Sequence, residues 1–146
     1  RSIKSNKMRK VTNHYFVSPQ IESTDVKSLK DQGFESIVCN RPDGEEPNQP
    51  DFKSIEKECL KSGIKFYNYP LSPGDLNLER VLETKAIIEE DKKTLAYCRT
   101  GTRCITLWAC AEVANKEVKE ILKISENAGY DLNHMEEILS SLKAAS

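Results

Sequence analysis

The spacing of apolar residues switches repeatedly between a two-residue and a helical period, and the switches predict the order of elements. Residues 15–17, β-branched and aromatic, read as a strand closed by Ser18-Pro19. Ser23-Thr24-Asp25 then offers an N-cap before Val26 and Leu29, and Gly33 follows the last periodic position, so a helix fits between them. Residues 34–39 predict a second strand, and the stretch 40–50, rich in Pro, Gly, Asn and acid, predicts a loop. Phe52, Ile55, Cys59 and Leu60 recur at helical spacing within 51–62, and Gly63 ends that helix. Residues 64–71 give a third strand, Ser72-Pro73-Gly74-Asp75 a turn, and Val81, Leu82, Ala86 and Ile87 the apolar face of the next helix. Residues 93–97 form a short buried strand, after which 105–114 are apolar nearly all round, as in a helix packed inside a core. Val118, Ile121 and Leu122, then Met135, Ile138, Leu139 and Leu142 beyond Gly129, predict two closing helices.

Strands alternating with helices at this spacing imply right-handed crossovers, hence an α/β fold with a mainly parallel central sheet flanked by helices. Residues 11–146 read as a single domain, preceded by a loose basic tail at 1–10 that carries five cations. The 22 Lys and Arg balance 23 Asp and Glu, so the chain lacks the basic footprint of a nucleic-acid binder. Its longest apolar run, 105–111, is far shorter than the roughly 20 residues that span a bilayer, so no membrane role is expected. Five cysteines without the dense, even spacing of a secreted framework point to a reducing, cytoplasmic setting. Cys98, Cys104 and Cys110 lie six apart, about 240° around a helix per step, and so do not converge on a metal.

The chemistry concentrates in Cys98-Arg99-Thr100-Gly101-Thr102-Arg103, between a buried strand and a buried helix. That position is the carboxyl edge of the sheet, where α/β folds bind ligands. Loop amides and the first turn of the helix lack intrahelical partners and favour an anion, while Gly101 permits its close approach. The same field, with Arg99 and Arg103, should hold the Cys98 thiol well below the usual ~8.5 and make it a nucleophile. Cys39, Cys59 and Cys110 read as core packing.

These residues carry a resemblance. CRTGTRC at 98–104 followed by ITLWA, together with NRPDGEE at 40–46, SPQ at 18–20 and GYDL at 129–132, resembles the beta-lactamase hydrolase-like, phosphatase-like domain family across nearly the whole chain. The resemblance implies a dual-specificity tyrosine phosphatase-like α/β fold and a cysteine-dependent enzyme. It also suggests sulfur transfer and fusion or pairing with a persulfide dioxygenase-type metallohydrolase. The loop itself departs from the tyrosine phosphatase pattern: Tyr97 replaces the histidine before the cysteine, and Arg103 follows Cys98 after four residues instead of five. Cys-x4-Arg is the spacing of rhodanese-type sulfurtransferases, whose CRxGxR loop it matches.

Sulfane-sulfur transfer through a Cys98 persulfide is therefore the leading expectation, with Arg103 and the loop residues Arg99, Thr100, Gly101 and Thr102 binding a small anionic or sulfane-sulfur substrate. The first alternative is a phosphatase acting through a phosphocysteine, on a phosphoprotein for example, with Asp75 as general acid. The second is a non-catalytic anion or phosphoprotein binding module. None of the three requires a cofactor. Asp75 reads equally as a helix cap. Arg41 reads as a second anion contact or as an ion-pair brace for the cysteine loop. Cys104, where a hydroxyl residue is usual, reads as first-turn packing or as a resolving thiol.

Overall fold

Strand β5 (Thr94–Tyr97) is buried at every position, as expected of a central strand covered on both faces. In the computed structural model, which describes residues 7–146, it lies between β2 (Tyr15–Ser18) and β3 (Ser36–Cys39), parallel to both. Strand β4 (Lys65–Asn68) adds in parallel beyond β3, and β1 (Arg9–Lys10) pairs antiparallel with β2 on the opposite edge, giving the order β1-β2-β5-β3-β4. Arg9 and Lys10, assigned above to the tail, thus form an edge strand, while residues 1–6 of that tail lie outside the described residues.

Alternate side chains of the sheet feed two apolar clusters, as the pleat dictates. Ile37, Cys39, Leu95 and Tyr97 pack with Val26, Leu29, Ile55 and Cys59 of α1 (Asp25–Asp31) and α2 (Phe52–Ser62). Val17, Val38, Ala96 and Cys98 pack on the other face with α3 (Leu78–Glu89), α4 (Thr102–Ala111), α5 (Val118–Asn127) and α6 (Glu136–Ala145). Helix α4 carries the larger cluster: Cys104, Ile105, Leu107, Trp108, Ala109, Cys110 and Ala111 are all buried. It starts at Thr102, earlier than its apolar run, and ends in a 3₁₀ turn at Glu112–Ala114.

The face of α3 differs from the expected one. Val81, Thr84 and Ile87 are buried, whereas Leu82 is 54% exposed and Ala86 is also exposed. Thr84 tolerates the core because its hydroxyl donates to the Arg80 carbonyl at 2.8 Å. Leu60 and Ile138 likewise face outward.

The register fixes the site. Ser18, Tyr97 and Cys39 lie side by side at the carboxyl ends of β2, β5 and β3, so Pro19, Cys98 and Asn40 leave the sheet at one edge. No helix among the described residues is long and apolar enough to cross a membrane.

Candidate active site

Cys98 leaves β5 directly into the turn that starts α4. Gly101, the N-cap of that helix, adopts φ 93°, and a Cβ there would collide with the Tyr130 hydroxyl, so two constraints select glycine. Cys98 is buried, and its Sγ accepts the Gly101 N–H at 3.1 Å. The thiol is held down to about 6, first by a hydrogen bond from the Cys104 side chain and then by the amides of Cys104, Thr100 and Gly101, against the opposing effect of burial. Burial and the adjacent Cys98 charge push the Cys104 thiol well up, so it stays protonated and serves as donor. A low value is expected from the loop amides, the helix N-terminus, Arg99 and Arg103; the amides do contribute, but the Cys104 thiol ranks first. Arg99 is exposed and inclines toward Glu46, Nε to Oε1 3.7 Å.

Arg103 does face the Cys98 charge, yet most of its donors are engaged within the protein. Its Nη1 and Nη2 donate to the two Glu45 oxygens at 2.9 and 2.8 Å, a bidentate pair, and Nη1 also donates to the Leu71 carbonyl at 2.7 Å. On the other side of Glu45 lies Arg41, only 2% exposed, with Nε on Glu45 at 2.8 Å, Nη2 on Glu46 at 2.6 Å and Nη1 on Gln20 Oε1 at 3.0 Å. Every nitrogen of Arg41 is bonded inside the protein, the geometry of an ion-pair brace and not of an open anion contact. Between two guanidiniums, Glu45 is held at about 2, chiefly by its bonds to Arg103, and Glu46 is also lowered, chiefly by Arg41.

Glu45 and Glu46 were missed as site residues. Their signal is the pair of acids after Gly44 in the loop that carries Arg41, the end of the NRPDGEE motif. Tyr130, in the sequence only a member of the GYDL motif, donates its hydroxyl to the Thr100 carbonyl at 2.9 Å across the loop.

Asp75 does not cap α3, because that helix begins at Leu78, where Asn77 Oδ1 accepts the Arg80 N–H at 3.0 Å. Asp75 is exposed on the turn, its N–H bonded to the Ser72 carbonyl at 3.0 Å. The base of this turn is fixed by three side chains on successive carbonyls: Asn40 on Tyr69, Arg80 on Pro70 and Arg103 on Leu71. Pro73 from the turn joins Glu45, Glu46, Arg99, Thr100 and Arg103 around a cleft of about 560 Å³. Asp75 is not among these lining residues. Thr102 is exposed and accepts the Thr100 hydroxyl at 3.0 Å. Among the described residues no three His, Cys, Asp or Glu side chains converge to hold a metal ion.

Residues 7–115 match the family model for the beta-lactamase hydrolase-like protein, phosphatase-like domain. Beta-lactamase hydrolase-like proteins of Xylella fastidiosa and Agrobacterium fabrum are 30% and 31% identical over 120 and 112 residues, 80% and 74% of this chain. The matched segments are only 28% and 26% of those proteins, so this chain corresponds to about a quarter of each relative. Among solved structures, a candidate phosphatase (nma1982) of Neisseria meningitidis superposes with TM-score 0.80 at 34% identity, covering 92% of this chain and 96% of that one. Tk-PTP in its active form gives TM-score 0.74 at 19% identity over 96% and 98% of the two chains, a likeness of fold.

Proposed function

The chain belongs to the beta-lactamase hydrolase-like, phosphatase-like domain family, and from this premise we propose that it is a cysteine-dependent enzyme that transfers sulfane sulfur through Cys98. The observation that carries the proposal is a thiolate held at about 6 inside a Cys-x4-Arg loop. Near neutral pH most of Cys98 is ionised and nucleophilic without a separate base.

In the first step the Cys98 lone pair attacks the outer sulfur of a donor such as thiosulfate. A new S–S bond forms, the donor's S–S bond breaks, and its electron pair leaves with sulfite. In the second step an acceptor thiolate attacks the outer sulfur of the Cys98 persulfide, and the Cys98 thiolate is regenerated. No net oxidant or reductant is consumed. Loop amides and the remaining Arg103 donors would stabilise the anionic persulfide.

The charge of the cleft supports a small donor. Of the side chains that line it, Arg99 and Arg103 are set against Glu45 and Glu46, with no net charge for the four. That suits a persulfide donor of low charge better than a dianion, whether phosphoryl group or thiosulfate.

A phosphatase is the second reading, favoured by the anchored turn that carries Asp75 and by the candidate-phosphatase description of the Neisseria meningitidis neighbour. On that reading Cys98 takes the phosphoryl group, Arg103 binds its oxygens and Asp75 protonates the leaving oxygen. Comparing kcat/KM for thiosulfate or glutathione persulfide with that for an aryl phosphate, in wild type and Cys98→Ser, tests the proposal. Sulfur transfer should exceed phosphate hydrolysis, and both should vanish in the variant. Efficient phosphate hydrolysis without sulfur transfer would install the second reading.

A further inference from the structure

Tyr130 lies outside the cysteine loop, between α5 and α6, yet its hydroxyl donates to the Thr100 carbonyl at 2.9 Å. The N–H on the other side of that same peptide belongs to Gly101 and donates to Cys98 Sγ at 3.1 Å. In a planar trans peptide the carbonyl and the N–H point in opposite directions. Fixing the oxygen outward therefore aims the hydrogen inward at the sulfur. Gly101 makes the arrangement possible, since any side chain there would displace the Tyr130 hydroxyl.

We infer that Tyr130 is a positioning residue that holds the Thr100–Gly101 peptide in the orientation that stabilises the Cys98 thiolate. It does not touch the reacting sulfur and acts through one peptide plane. The inference rests on the reading of Cys98 as nucleophile. Tyr130 remains a donor throughout the working range, because burial and the neighbouring thiols push its phenol up to about 12. Arg9 of β1 acts on that phenol in the opposite direction. The titratable groups facing Cys98 itself are Cys104 and Arg103 of α4 and Cys39 at the end of β3. All of them stay in place when only the Tyr130 hydroxyl is removed.

The test is an ultraviolet thiolate titration of Tyr130→Phe beside wild type, each corrected with its Cys98→Ser counterpart. The ring and its packing are retained, so the fold should persist, as a thermal melt will verify. Losing the aim of one charge-assisted hydrogen bond should raise the Cys98 midpoint by about one pH unit and cut the thiolate fraction at pH 6 about fivefold. A purely structural role would lower the melting temperature and leave the midpoint where it was. In wild type, the Gly101 amide proton resonance should titrate with the same midpoint as Cys98, a measurement that needs no variant at position 130. A folded Tyr130→Phe with an unchanged midpoint, or a Gly101 amide that ignores Cys98 ionisation, overturns the inference. A wild-type midpoint near that of a free thiol overturns instead the reading of Cys98 on which it rests.

Discussion

Replacing Glu45 with Gln removes the one carboxylate that bridges Arg41 and Arg103. Its acidity in the folded protein, about 2 against the usual 4.5, sets the scale. At about 1.4 kcal/mol per pH unit the gap corresponds to about 3 kcal/mol, and partial exposure of the carboxylate reduces this to about 2–3 kcal/mol. The 19% exposure of Glu45 and the 2% of Arg41 keep the pair well above the worth of a surface ion pair. Because the folded value is depressed, this stabilisation is complete above pH 4.5 and fades as pH falls through 2. Urea unfolding of wild type and Glu45→Gln should therefore differ by about 2–3 kcal/mol near pH 7, with the gap narrowing steadily below about pH 4.5. A loss below about 0.5 kcal/mol, or a gap indifferent to acid, would refute the claim that Glu45 holds the two arginines as a unit.

Cys104→Ala should raise the Cys98 midpoint by up to about one pH unit, whereas Cys104→Ser, whose hydroxyl is the stronger donor, should hold it or lower it. The thiolate titration of both variants checks this. Asp75→Asn should leave the melting temperature unchanged, since the helix cap is Asn77, and Asn77→Ala should instead cost about 1 kcal/mol in urea melts. On sulfane-sulfur donors Asp75→Asn should turn over at the wild-type rate, while any hydrolysis of phosphates with poor leaving groups should fall ~10²-fold or more.

The place of Cys98 at the sheet edge was legible because an apolar strand, followed by a Gly-bearing turn and an apolar helix, admits few other arrangements. Its surroundings were harder to read. Glu45 and Glu46 sit in a polar loop whose composition says only that it is a loop, and the pairing of Glu45 with Arg103 spans 58 residues of sequence. Tyr130 meets Thr100 across 30 residues and the intervening helices, a contact that no local pattern encodes. The strongest cause of the high Cys98 acidity, the Cys104 thiol, was not legible beside the amides and arginines for a related reason. Arginine is the obvious cation beside a thiol, but Arg99 faces solvent and Arg103 is largely committed to Glu45, which leaves the thiol of Cys104 as the strongest influence. The α3 face was misjudged because Thr84 satisfies its own hydroxyl within the helix and so displaces Leu82 from the core side.

The central claim is tested most directly by intact-protein and peptide mass spectrometry after brief exposure to thiosulfate, and separately to an aryl phosphate. The account predicts a gain of one sulfur atom located on Cys98, absent in Cys98→Ser and removed by a small thiol, with no phosphoryl adduct of comparable occupancy. A phosphoryl group on Cys98 without any persulfide would contradict it.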